Sequence, residues 1–175
     1  MAPVDPMDFS PYRLGQQHDP ISLDHSRDVR QACLALVSQA QRNVILMSRH
    51  LDARLFNTSE FATAVRNFVL GSRYARMRIL VQDPGPAIQS GHRLIELSQR
   101  LSSFIEIRIP ERQFASYNRA FLVVDACGYL YREQADLYIA ECSFADRKFS
   151  DELGHPFEEM WESSQTDPSL RRMLI

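Results

Sequence analysis

Apolar positions along this chain switch between two periods. From residue 26 to 41, Val29, Cys33, Leu36, Val37 and Ala40 recur at three-to-four spacing, which predicts an amphipathic helix with Ser26 as its N-cap. Asn43–Ser48 (Asn-Val-Ile-Leu-Met-Ser) is a short, nearly all-apolar run, the pattern of a strand buried on both faces. Asn57–Glu60 has capping-box spacing and opens a second helix carrying Phe61, Val65, Phe68 and Val69. Met77–Gln82 predicts a second strand. Gly91–Leu101 predicts a third helix, and Ile105–Ile109 a third strand that Pro110 ends. The order is αβαβαβ.

Beyond Arg112 the pattern changes. Arg119–Val124 and Tyr129–Arg132 predict two strands joined by a turn-like Asp-Ala-Cys-Gly link, and Asp136–Cys142 predicts a further strand. Pro156–Ser164 predicts a helix with Phe157, Met160 and Trp161 facing inward, and Asp167-Pro168 starts a last short one. Alternating units followed by a hairpin and helices predict an α/β fold: a mixed β-sheet covered by helices on both faces. Residues 1–20 have no periodicity and carry prolines at 3, 6 and 11, so a flexible N-terminal arm is expected there. Residues 21–175 are expected to form a single domain, as the length of 175 residues suggests.

Composition narrows the classes. No apolar run approaches the roughly 20 residues of a membrane span, and the first residues lack the basic start and apolar stretch of a signal peptide. A cytoplasmic location is therefore expected. Cys33, Cys127 and Cys142 are odd in number and widely spaced, which predicts reduced thiols and no zinc cluster. No other metal or cofactor is called for. Net charge is −2, so nothing global points to nucleic acid, and it is not an expected partner. The distribution is nonetheless uneven: arginines dominate between residues 61 and 82, and acids crowd the part after Glu133.

The segment with most chemical content is Asn118–Asp125, Asn-Arg-Ala-Phe-Leu-Val-Val-Asp. It resembles the signature strand of the phospholipase D superfamily, His-x-Lys-x-x-x-x-Asp, with Asn118 at the His position, Ala120 at the Lys position and Asp125 retained. Three other segments resemble that family in the same order. Asn43–Ser48 is similar to its first core strand, Met77–Asp83 to the strand after a surface helix, and Phe157–Glu162 to its closing Phe-x-x-x-Trp helix. The resemblance runs from about Asp28 to Ser164 and implies one half of a phospholipase D fold. Gln82–Arg93 and the ending Asp-Pro-Ser-Leu-Arg-Arg further resemble an uncharacterised bacterial family of degenerate phospholipase D-like domains, some of which follow an acetyltransferase domain. That implies an acetyltransferase as a partner class. No glycine-rich acetyl-coenzyme A loop is present in this chain.

In active relatives the His attacks phosphorus, the Lys holds nonbridging oxygens, and the Asp orients a His. Residues two apart on a strand share a face, so His and Lys reach one phosphate together. Here that face offers an amide and a methyl group, and no catalytic residue is assigned. Loss of a nucleophile from a site that acts as a unit costs on the order of 10⁴–10⁶ in rate. The remaining signal is Gln89-Ser90-Gly91-His92-Arg93, where free N–H groups at a helix start, with the Arg93 side chain, would form an anion site. His92, Arg93, Asn118, Asp125 and Arg132 are the candidate anion-binding residues. Arg132 begins the Arg-Glu-Gln-Ala stretch that stands where active relatives have Gly-Ser-x-Asn.

These features point first to a non-catalytic phospholipase D-like domain serving in binding or assembly as a homodimer, since one half of this fold packs against another. Two alternatives stay open. One is a phosphodiesterase with a rearranged site using His50 or His92. The other is an anion, nucleotide or nucleic-acid binder using Arg73, Arg76, Arg78 and Arg93.

Overall fold

The two periods become one sheet with helices on each side. The computed structural model describes residues 4–171. Its strands are β1 (Ile21–Leu23), β2 (Asn43–Ser48), β3 (Arg76–Val81), β4 (Ile105–Arg108), β5 (Ala120–Val124), β6 (Gly128–Arg132) and β7 (Ala140–Ser143). Its helices are α1 (Ser26–Ser38), α2 (Ala53–Phe56), α3 (Ser59–Leu70), α4 (Gly85–Ser90), α5 (Arg93–Arg100), α6 (Arg147–Ser163) and α7 (Pro168–Arg171). The sheet runs β1-β7-β6-β5-β2-β3-β4. β2, β3 and β4 are parallel neighbours, and β5, β6, β7 and β1 continue the sheet antiparallel. The mixed sheet expected from the sequence is the one observed.

Alternation on the strands divides the core in two. Val44, Leu46, Ile79, Leu122 and Val124 face the larger core, under α1, α3 and α5. Ile45, Met47, Leu80, Phe121 and Val123 face a smaller one, under α6. Because both faces are covered, the strands read as apolar runs rather than alternating ones. No helix among the described residues is long and apolar enough to cross a membrane.

α6 is longer than the expected Pro156–Ser164. It starts at Arg147, with Asp146 as its N-cap, and runs through Pro156. Gly-His-Pro reads as a loop in sequence, but Leu153 and Phe157 share the buried face of one continuous helix. The Arg78 and Arg108 guanidinium groups lie over the Trp161 ring, at 5.4 and 4.3 Å, and Arg78 also donates to the Glu158 carboxylate. That partner holds the Glu158 carboxyl below its usual range. Arg78 is thus committed to docking α6.

The caps and strand ends also differ in detail. Thr58, not Asn57, caps α3 by accepting from the Phe61 N–H. His25 occupies the N-cap of α1, and Ser26 is its first residue. β1 carries too few residues for a periodic signal and is defined by pairing with β7. The strand expected over Asp136–Cys142 begins only at Ala140, because Arg132 folds residues 133–139 into a loop.

Residues 9–18, read in sequence as part of a flexible arm, are packed on the domain. Phe9 is 5% exposed and its ring approaches those of Tyr12 and Phe144. The Gly15 N–H donates to the Phe144 carbonyl, and the Phe144 N–H donates to His18 Nε2. Leu14 and Leu36 press on Gly128 so closely that a Cβ there would stand 2.7 and 2.9 Å from them. Aromatic anchoring compensates for the missing periodicity. Phe9→Ala is expected to lower stability by about 3 kcal/mol, read as a shift of the urea midpoint; an unchanged midpoint would show that the arm contributes nothing.

Candidate functional site

In an open α/β sheet, sites form at the carboxyl ends of the parallel strands. Here that end collects Arg49 and His50 after β2, Gln82 and Asp83 after β3, and Asn118 before β5. Antiparallel pairing of β5 with β2 places Asn118 beside Arg49, whose Nη2 donates to Asn118 Oδ1 at 3.0 Å. The Asn118 carbonyl accepts from the Ala135 N–H at 2.7 Å. His50 Nδ1 lies 3.6 Å from Asp83 Oδ2 with both side chains half exposed.

The position of the signature Lys is closed. Ala120 is buried and pairs in register with Arg132. Arg132 is 3% exposed, and its guanidinium is spent on the chain itself. Nε donates to the Leu137 carbonyl at 2.7 Å, Nη2 to the Ala135 carbonyl at 2.6 Å, and the group stacks 5.1 Å from the Tyr138 ring centre. Tyr138 in turn donates to Asp52 Oδ2 at 2.7 Å, while Asp52 Oδ1 caps α2. These bonds latch residues 133–139 over the end of the sheet. An arginine in a sequence gives no sign of whether its charge faces a ligand or a loop carbonyl.

His92 and Arg93 belong to a different corner. Gly91, at φ 68°, ends α4 in the left-handed conformation, and His92 caps α5. His92 Nδ1 accepts from the Leu94 N–H, and the Arg93 N–H donates to Asn57 Oδ1. The Ile95 and Glu96 N–H groups bond to the His92 carbonyl. The N–H groups expected to bind an anion are therefore taken by the protein's own acceptors. The Arg93 guanidinium is likewise bonded to Asn57. His92 is 1% exposed, and its Nε2 faces the Leu51 carbonyl short of hydrogen-bond geometry. Burial holds the imidazole down to about 4 from the usual 6.5.

Asp125 stands at the far end of β5, five strand residues beyond the Asn118 end, so it cannot orient a side chain at position 118. Its Oδ1 accepts from the Arg42 and Asn43 N–H groups at 2.8 and 2.9 Å, and its Oδ2 from the Gln41 N–H at 2.9 Å. Asp125 and Ala126 both have positive φ, 52° and 50°, the geometry that joins β5 to β6 in a tight hairpin. Asp125 thus has a structural role, beginning the turn before Gly128, and both of its oxygens are taken by backbone N–H groups. The five residues singled out in sequence thus fall into three places: Asn118 with Arg132, His92 with Arg93, and Asp125 alone.

The geometry defines the class of fold: half of a phospholipase D fold, with β5 near the centre of the sheet. Solved structures share it. Nuc from Salmonella typhimurium, a phospholipase D family member, aligns with a TM-score of 0.60 at 13% identity, over 84% of this chain and 97% of that one. NucT from Helicobacter pylori aligns at 0.63 and 12%, over 85% and 99%. The archaeal chromatin protein TrmBL2 aligns at 0.63 and 12%, over 91% of this chain but only 56% of its own. At these identities the likeness is one of fold. Over residues 25–173 the chain belongs to the family described as Domain of unknown function (DUF7931). No curated protein matches it.

Two outcomes follow. Between pH about 6.5 and 4 the unfolded chain binds a proton at His92 that the folded one refuses, so stability falls as pH falls through that window, by on the order of 3 kcal/mol when complete. Urea midpoints at pH 7.5 and 4.5 measure the drop, and His92→Asn, which keeps an N-cap acceptor, should make it smaller. Ala126→Gly should stabilise by about 1 kcal/mol, because glycine adopts the left-handed turn position without strain; calorimetry would show a raised Tm.

Proposed function

We propose that this chain is a non-catalytic phospholipase D-like domain that serves in binding or assembly and acts as a homodimer. The observation that carries the reading is the closed position at Ala120. Where the fold's chemistry needs a cation free to meet phosphate, Arg132 is buried and bonded to two carbonyls of its own loop. Asn118 supplies an amide in place of the nucleophile and is held by Arg49.

Assembly is supported by the same loop. Its outer side carries Leu137 and Ile139, 40% and 64% exposed, two large apolar residues beside the sealed end of the sheet. A second copy related by a two-fold axis would bury both pairs against each other. The cytoplasm, where the buried thiols stay reduced, is the compartment that fits. An acetyltransferase domain is the partner class that the family resemblance brings.

One observation favours a second reading, a rearranged phosphodiesterase. His50 and Asp83 stand as a His–carboxylate pair at the active end of the sheet, next to Arg49. Turnover of bis(p-nitrophenyl) phosphate that disappears in His50→Ala would establish that reading and overturn the first.

The non-catalytic reading expects no such turnover. It also expects Ala120→Lys to lower stability by about 3 kcal/mol, since a second cation would be forced into the site of Arg132. Light scattering should give a mass near twice 20.2 kDa, with Leu137→Asp and Ile139→Asp reducing it to the monomer. A concentration-independent monomer in the unaltered protein removes the assembly role.

A further inference from the structure

The net charge of −2 conceals a segregation that the fold creates. Acids such as Glu133 and Asp136 are exposed on the latched loop at the carboxyl end, and Glu159 and Glu162 in the last turns of α6, while Asp146, Asp151 and Glu152 lie at its start, near Arg147. The opposite end, where β2 and β3 begin, is built differently. Loops from four separate parts of the chain meet there, and each brings an exposed arginine: Arg13, Arg42, Arg73 with Arg76, and Arg147. Arg42 immediately precedes β2 and Arg76 opens β3, and the two are joined by the Arg76 N–H bond to the Arg42 carbonyl. None of the five is ion-paired among the described residues.

Two grooves run along this end and share Ala40, Gln41 and Arg42. One, of about 660 Å³, holds Arg13 and Arg147 on its walls. The other, of about 770 Å³, is lined by Asn67, Ser72 and Tyr74. Asp125 is the one acid lining either groove, and its two oxygens are turned to three backbone N–H groups. Tyr74 is 67% exposed, although it is a large aromatic residue, and the Arg73 guanidinium lies 4.8 Å from its ring centre and donates to its hydroxyl. An arginine-braced aromatic ring at the mouth of a basic groove is the chemistry that stacks on a base while neighbouring cations meet phosphates.

We infer that the amino end of the parallel strands, centred on Arg42 and flanked by Tyr74 and Arg147, is a nucleic-acid-binding face, placed opposite the end where this fold carries its catalysis. The concave shape suits a strand of polyanion better than the plane of a membrane. The inference stands apart from the assembly reading, because the two surfaces lie at opposite ends of the sheet. It assigns a partner that net charge argued against, and uses only Arg73 and Arg76 of the arginines first considered. Arg78 is held by α6, and Arg93 by Asn57.

The test is fluorescence anisotropy of the full chain with a labelled 20-nucleotide single strand and a 20-base-pair duplex, between 50 and 200 mM salt. Binding should weaken with a log–log salt slope of about −3, as for a few phosphate contacts. Arg42→Glu, and separately Arg147→Glu, should each weaken it at least tenfold, and Tyr74→Ala should weaken the single strand more than the duplex. Arg54→Glu, an exposed residue at the other end, should leave it unchanged. Circular dichroism confirms that each variant is folded. No binding at 50 mM salt, equal loss in the Arg54 variant, or a preference for phosphatidylserine vesicles over either oligonucleotide would each overturn the proposal.

Discussion

The carboxylate of Asp125 holds together parts of the chain more than 80 residues apart. By accepting three consecutive N–H groups from Gln41, Arg42 and Asn43, it ties the end of the α1–β2 connection to the β5–β6 hairpin. A carboxylate bonded to several backbone N–H groups is a strong, charge-assisted contact, and here it sets where β2 begins relative to β5. The register Val44↔Val124 to Met47↔Phe121 follows from that anchor. So does the position of Arg42, whose backbone is held by Asp125 while its side chain stays exposed between two grooves. Asp125 at the end of β5 is therefore explained by the fold itself.

The two ends of the sheet have been treated in opposite ways. At the carboxyl end the chain turns its own polar groups on one another. Arg132 meets loop carbonyls, Tyr138 meets Asp52, Asn118 meets Arg49, and the α5 N-terminus meets Asn57 and His92. At the amino end the arginines form no ion pair among the described residues, Arg13, Arg73 and Arg76 bonding only to neighbouring carbonyls or the Tyr74 hydroxyl, and the acid that lines the grooves is occupied by backbone. Burial also puts the cysteines out of use: the Cys142 thiol is pushed up to about 12 and Cys33 is raised as well, both by desolvation.

Much of the fold could be read directly. The strands from Asn43, Met77 and Ile105 and the hairpin around Asp125 lie within a residue or two of expectation, because strands buried on both faces leave unbroken apolar runs. What could not be read was set by contacts distant in sequence. Phe9, Tyr12 and His18 carry no period, yet Phe144 gathers them onto the domain. The first half of α6 is hidden by Gly-His-Pro, and its helical face appears only when Leu153 meets the smaller core. The candidate site was legible as a list of residue types but not as an arrangement, since an Arg or His in the chain does not reveal which carbonyl it will meet.

By itself the sequence determined the α/β class, the central strands and the presence of an amide and a methyl group at Asn118 and Ala120, since hydrophobic period and residue identity are local properties. Only the tertiary structure decided which charges are spent and which remain free. Arg93 and Arg78 are occupied by partners from distant segments and Arg132 by carbonyls of its own loop, while Arg13, Arg42, Arg73, Arg76 and Arg147 are brought to one end without an ion pair among the described residues. Charge sums over the chain in sequence but acts over a few ångströms in space, and the fold determines which charges share those few ångströms.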